Sequence, residues 1–240
     1  MAVCRAFDPS AYPEPLSRLV SGERLCELGP GTPRLEVRSE LQALSIEDLF
    51  TGRTIVDRKA AAACLSGLWL LHDFLDESHT ISQSITTPTG SYWHGIMHRR
   101  EPDYANAKYW FRRVGEHPVF DELGYVTAGF TVPDAQRREA SSESKKGMQQ
   151  DGSRIHQNSE WSTIAEFWRI RLRKCFTALP DAASEAARSL QMSTDWDPFA
   201  FVDLCQSVRA GRSELEPICR EIARAEWELL FDYSYRKALG

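Results

Sequence analysis

The chain of 240 residues is 42% hydrophobic and 26% charged, proportions of a protein that buries a core rather than of a disordered chain. Its net charge of -5 argues against a nucleic-acid partner or an anionic membrane surface. No run approaches the roughly 18 apolar residues of a membrane span, and the start, MAVCRAFDPSAYPEP, has no basic stretch followed by an apolar core, so a cytoplasmic protein is expected.

Residues 1–55 read as an irregular arm, because prolines at 9, 13, 15, 30 and 33 interrupt anything long. Short helices are expected at 12–20 and 36–44, and Ser45 with Asp48 offers a capping pair for another. A long helix is expected over 57–82, with Asp57 as N-cap and Leu65, Leu68, Trp69, Leu71 and Leu75 on its buried face. Residues 86–90, TTPTG, read as a turn. A helix capped by Ser91 follows, Pro102 interrupts it, and Asp103 caps a second helix over 104–114 that ends at Gly115. His117-Pro118 reads as an extended step.

Residues 133–157 are polar and charged and are expected to be a flexible loop. Helices are expected again at 159–179, 182–190 and 198–208, and from Ser213, where Ser213-Glu-Leu-Glu216 has the form of a capping box, almost to the end. The expected fold is therefore mainly α: an irregular helical bundle in a single domain spanning 1–240, with the arm and the loop within it. The cysteines at 4, 26, 64, 175, 205 and 219 form no CxxC pair and are expected to be reduced and mostly buried.

Chemistry concentrates in residues 91–113, SYWHGIMHRREPDYANAKYWFRR. On the long helix, His72, Asp76 and His79 stand at i, i+4 and i+7, and His94, His98 and Glu101 repeat that spacing on the next. Two helices facing one another with such sets offer ligands to a divalent metal: zinc, manganese or iron. The proposed ligands are His72, Asp76, His79, His94 and His98, with Asp73 and Glu77 as supporting groups. In a catalytic reading, His94 and His98 are ligands or a general base, with Glu101 beside them. The bland alternative is that these are hydrogen-bonded or solvated histidines. The Glu-x-x-His pattern of di-iron bundles is absent here. The hydrolases built on an adjacent His-Asp pair need an upstream histidine, and none precedes His72.

Arg99, Arg100, Lys108, Arg112 and Arg113 form a second set, suited to carboxylate or phosphate. Tyr92, Trp93, Tyr104, Tyr109, Trp110 and Phe111 around them suggest an enclosed pocket, with Arg99, Arg100, Tyr109, Arg112 and Arg113 holding the substrate or anion. Structural Arg–aromatic stacking has the same sequence pattern, and Arg112 and Arg113 also suit a helix C-terminus without any ligand. A single-strand nucleic-acid platform would use the same residue types, but the acidic total and the lack of a strand pattern count against it. Glu226, Tyr233 and Arg236 share a face of the last helix and are secondary candidates to close the pocket.

The segment YWHGIMHRREPDYANAKYWFRRVGEHPVF, with DESHTISQSITTPTGS upstream, resembles the most recognisable block of a group of uncharacterised bacterial and fungal proteins. The likeness covers about residues 70–120. It implies a coherent unit and supplies no reaction.

Two functions stay open on these residues. One is an enzyme, or enzyme-like protein, acting on a small polar or anionic molecule in a helical pocket, with or without a divalent metal. The other is a non-catalytic ligand-binding or interaction module, in which the same charges and rings form a fixed network.

Overall fold

The computed structural model describes residues 7–22, 24–128, 161–177, 196–211 and 213–240. Among them are eleven α-helices and no strand, the mainly α fold expected. The expected loop at 133–157 and helix at 182–190 lie outside the described residues.

The arm carries three short helices, α1 (Leu16–Val20), α2 (Arg38–Ala43) and α3 (Ile46–Leu49). The Ser45–Asp48 capping box forms as expected. Leu16, Leu19, Leu41, Leu49 and Phe50 are all buried, so the arm is part of the core rather than a fringe.

The expected helix over 57–82 is instead two helices, α4 (Arg58–Leu71) and α5 (Leu75–Ser82). Asp57 caps α4 through Lys59 N and Ala60 N. The break is a Schellman turn: Asp73 N donates to Leu70 O at 3.2 Å and Phe74 N to Trp69 O at 3.0 Å, with Asp73 at φ +65°. The hydrophobic contact that accompanies such turns is the edge-on packing of Trp69 and Phe74, 5.3 Å between centroids. Asp occupies the position that glycine usually takes. Its carboxylate is paired with Arg24 and, at 2.5 Å, with Arg100, which offsets the backbone cost.

α6 (Pro88–Arg100) starts earlier than expected. Thr87 is its N-cap, accepting from Gly90 N at 3.2 Å, and Pro88 takes N1, so Thr-Pro opens a helix where a turn was expected. Gly90 is the residue this first turn of the helix requires, because a Cβ there would meet Ile85 O at 2.3 Å. α7 (Tyr104–Val114) follows the corner at Pro102, capped by Asp103 and ended at Gly115 as expected.

α8 (Pro118–Ala128) was not expected at all. His117 begins it, its Nδ1 accepting from Val119 N at 3.3 Å as a serine or aspartate oxygen would. α9 (Trp161–Thr177), α10 (Pro198–Arg209) and α11 (Glu216–Leu239) complete the described chain. A 3-10 turn, Ser213–Leu215, precedes α11, so its helix proper starts three residues later than the capping-box reading placed it.

α11 is the axis of the core, packing on α4, α8, α9 and α10. Gly67 lets α4 approach both α6 and α11 closely. Its carbonyl accepts from Trp227 Nε1 at 2.8 Å, and a Cβ on it would meet the Trp93 ring at 2.7 Å. Trp93 in turn donates to Ser234 Oγ at 3.2 Å, tying α4, α6 and α11 together. α6 lies against α4, α5 and α7 and buries twelve of its thirteen residues, polar ones included.

Candidate metal centre

Burial of α6 on nearly all sides removes His94 and His98 from water, at 1% and 5% exposure. One turn apart on the same face, they bring their Nε2 atoms to 2.9 Å. The Schellman break re-aims α5, and half-buried His79 completes a cluster with ring centroids 4.7 Å from His94 and 5.3 Å from His98. One ligand atom from each of the three lies within 4.8 Å of the others, and no other such group of three occurs among the described residues.

The surroundings select the nitrogens. Glu101 Oε2 lies 3.1 Å from His98 Nδ1. A carboxylate accepts only, so the ring donates from Nδ1 and its Nε2 lone pair is left toward His94. The Asn106 amide of α7 reaches the same Nε2 at 3.1 Å. Trp110, one turn further along α7, stacks on His94 at 4.0 Å and 24°.

Burial drives the His94 pKa down to about 3, helped by the charges His98 and His79 would carry. The Ser82 main chain works the other way, although His94 Nδ1 completes no hydrogen bond. Burial also lowers the His98 pKa, partly offset by Glu101. Both rings are thus held neutral, the form in which imidazole binds a metal.

Three of the expected ligands meet and two do not. His72 caps α4 on the other side of the break, its Nε2 donating to Leu19 O at 3.0 Å, so it fastens the arm. Asp76 shares α5 with His79 but lies on its solvent side and is exposed. Asp73 and Glu77 do not support the site either: Asp73 holds the arginines of the turn, and Glu77 pairs with Arg38 at 3.0 Å. Glu101 is more than half exposed and touches the far nitrogen of His98, so it orients a ligand instead of being one.

The expected anion pocket is not assembled. Arg99 is buried against Glu226, with Nη1 to Oε1 at 3.3 Å, and lies 4.5 Å over the Phe201 ring. Arg100 donates to Gly29 O, Leu70 O and Pro30 O as well as to Asp73. Both guanidiniums face inward because α6 has almost no solvent side. Lys108 pairs with Asp203 at 2.5 Å. Tyr109, Arg112 and Arg113 are exposed. Of these, Arg113 lies 5.2 Å over Trp110, the ring that covers His94, and reaches Tyr109 Oη at 3.5 Å.

The C-terminal candidates are engaged elsewhere. Glu226 accepts from Tyr92 as well as Arg99, Arg236 donates to Asp232 at 2.6 Å, and Tyr233 packs on His117. Cys26, Cys64, Cys205 and Cys219 are buried and free. Burial pushes their thiols up, Cys205 to about 12, so none of the four is a ready thiolate.

Asn106 was missed by sequence reading. Its signal is spacing: 106 and 110 are i and i+4 on α7, which packs on α6 and carries them to the histidines. No helix among the described residues is long and apolar enough to cross a membrane. No protein-family model, curated protein or solved structure matches the chain, so the site rests on its own geometry.

Proposed function

We propose that the protein binds a divalent transition metal through His79, His94 and His98 and is an enzyme that uses the metal on a small polar or anionic molecule. The observation that carries this reading is the approach of two buried, neutral imidazoles through their Nε2 atoms, 2.9 Å apart. Two nitrogens on one tetrahedral zinc stand about 3.3 Å apart, given bonds of about 2.0–2.1 Å. The pair is thus within a few tenths of an ångström of that spacing. A three-nitrogen set suits zinc or iron better than manganese, which prefers oxygen.

Three protein ligands leave a tetrahedral ion one position for water or substrate, the arrangement of catalytic rather than structural zinc. Held by these three residues, such a metal would supply Lewis acidity of the kind that drives hydrolysis. In this reading His94 and His98 are ligands and not bases, Glu101 fixes the His98 ring, and Arg113 with Tyr109 offers charge and a hydroxyl beside Trp110. Residues 70–120 contain all three ligands.

The test is metal analysis of protein purified without a histidine tag, with thermal melting before and after chelator. Copurified zinc or iron and a melting temperature that falls on chelation support the reading. The absence of metal, with no stabilisation by added zinc or ferrous iron, sinks it.

A second reading, the non-catalytic module, is favoured by the fate of the arginines. Arg99 and Arg100 satisfy Glu226, Asp73 and three carbonyls without any ligand. On that reading the histidines are one more element of a rigid corner between α6 and α7, and chelator leaves the melt unchanged.

A further inference from the structure

Apart from the histidines, the arm, α9 and α11 line a half-open cavity of about 220 Å³. At about 30 Å³ per liquid water, that is room for roughly seven waters. Phe7, Leu25, Phe167 and Trp168 give it apolar walls, and Arg171, Arg224 and Glu228 give it a charged side. Arg224 and Glu228 are buried, at 4% and 6% exposure.

Most of that charge is already matched. Glu228 accepts from Arg224 Nε at 2.7 Å on one oxygen and from Trp168 Nε1 at 2.6 Å on the other. Arg171 is clamped on Glu221 through Nε at 2.7 Å and Nη2 at 2.9 Å. Arg224 differs. Beyond Nε, its guanidinium makes only ring contacts, 5.0 Å over Trp227 and 5.9 Å over Phe7. Among the described residues, Nη1 and Nη2 form no hydrogen bond, neither is among the buried polar atoms sealed without a partner, and Arg224 lines the cavity.

We propose that this cavity is a binding site for a small monocarboxylate with a one-ring or branched apolar body, held by the two outer nitrogens of Arg224. A guanidinium presents paired donors whose spacing matches two carboxylate oxygens. Cavity water meets these donors in the absence of a ligand, and an entering carboxylate replaces it with a charge-assisted pair while its body covers the aromatic walls. A dianion such as a phosphate monoester fits less well, because Glu228 and Glu221 stand beside the two arginines. Burial already pushes the Glu228 carboxyl up against the pull of Arg224.

The experiment is a fluorine NMR titration of the full chain with 4-fluorophenylacetate, with 4-fluorophenylacetamide and 4-fluorophenyl phosphate in parallel. The carboxylate is expected to bind and the other two to bind at least tenfold more weakly. Arg224→Lys keeps a cation beside Glu228 but loses the fork, and roughly ten- to hundredfold weaker binding is expected. Leu25→Trp fills the cavity from its half-buried rim, leaves every charge in place, and is expected to abolish binding. Circular dichroism checks that both variants are folded. Equal binding of the amide or the phosphate, unchanged affinity in both folded variants, or no binding of the carboxylate up to about 10 mM each overturns the proposal.

Discussion

The Nε2 atoms of His94 and His98 stand 2.9 Å apart on one face of α6, while Glu101 holds the opposite nitrogen of His98. Without a cation, two neutral rings at that distance meet as a hydrogen bond, His94 Nε2–H donating to the His98 Nε2 lone pair. With the His94 proton on Nδ1 instead, both Nε2 lone pairs are free and a metal cation satisfies both rings at once. Cobalt(II) titration reads this directly, since its visible absorption reports tetrahedral nitrogen ligation. His94→Ala and His98→Ala are each expected to abolish the signal. Glu101→Gln is expected to weaken binding roughly 10–100-fold, the usual effect of losing a carboxylate behind a ligating histidine. Wild-type cobalt affinity in the double variant His94→Ala/His98→Ala would move the site elsewhere.

His72 and Asp76 make the complementary test, because His72 lies across the break at Asp73 and Asp76 faces solvent. His72→Ala strips Leu19 O of its donor and leaves a gap under the arm, with an expected loss of about 1–3 kcal/mol in urea unfolding. Asp76→Ala, on an exposed position, is expected to stay within about 0.5 kcal/mol. Both variants should bind cobalt as the parent does. Loss of binding in either one would return that residue to the metal site.

That break also marks how far the sequence was legible. The spacing of His94 and His98 on one helix, and the presence of His79 on the preceding segment, was enough to anticipate a shared site, since i, i+4 geometry is local. The kink was not anticipated, because His72-Asp73-Phe74 contains neither glycine nor proline. What stabilises Asp73 there is tertiary: Arg24 and Arg100, 49 and 27 positions away. The arginines misled for a related reason. Charged side chains are assigned to the surface by default, yet α6 is enclosed, and its partner Glu226 lies 127 positions along the chain from Arg99. Capping chemistry read well at Ser45, Asp57 and Asp103, where donor and acceptor are neighbours. It failed at His117, whose ring caps α8 in place of an oxygen.

The Arg99–Glu226 pair makes a stability prediction that separates structure from ligand binding. Arg99→Met leaves the Glu226 carboxylate buried at 0% exposure without its ion partner, and an expected loss of about 3–5 kcal/mol follows. The double variant Arg99→Met/Glu226→Gln removes both charges and is expected to recover part of it. Arg113→Ala, at the surface, should change unfolding by no more than about 0.5 kcal/mol. Denaturant unfolding of the parent, Arg99→Met, Glu226→Gln and the double variant closes the cycle. A loss under about 1 kcal/mol in Arg99→Met would mean that the pair contributes little and that Arg99 is available for another role.

His117 ties stability to pH. Its Nδ1 accepts from Val119 N, so the proton is on Nε2, 3.2 Å from Thr89 Oγ1, and the ring is neutral. Burial lowers its pKa to about 4, against about 6.5 in the unfolded chain. Between those values the unfolded state takes up a proton that the folded state refuses, so stability is full above pH 6.5 and falls as the pH drops towards 4. Linkage puts the loss from this one group at about 1–2 kcal/mol between pH 7 and pH 5. His72, lowered to about 4 chiefly by burial, acts with the same sign. His117→Asn keeps a side chain able to cap α8 and removes one titration. Its stability is expected to fall less steeply than the parent's over that interval, by the same 1–2 kcal/mol, in urea unfolding at matched pH. Parallel curves for the two proteins would show that His117 is protonated as readily in the folded state as in the unfolded one, contrary to its burial and its hydrogen bond from Val119.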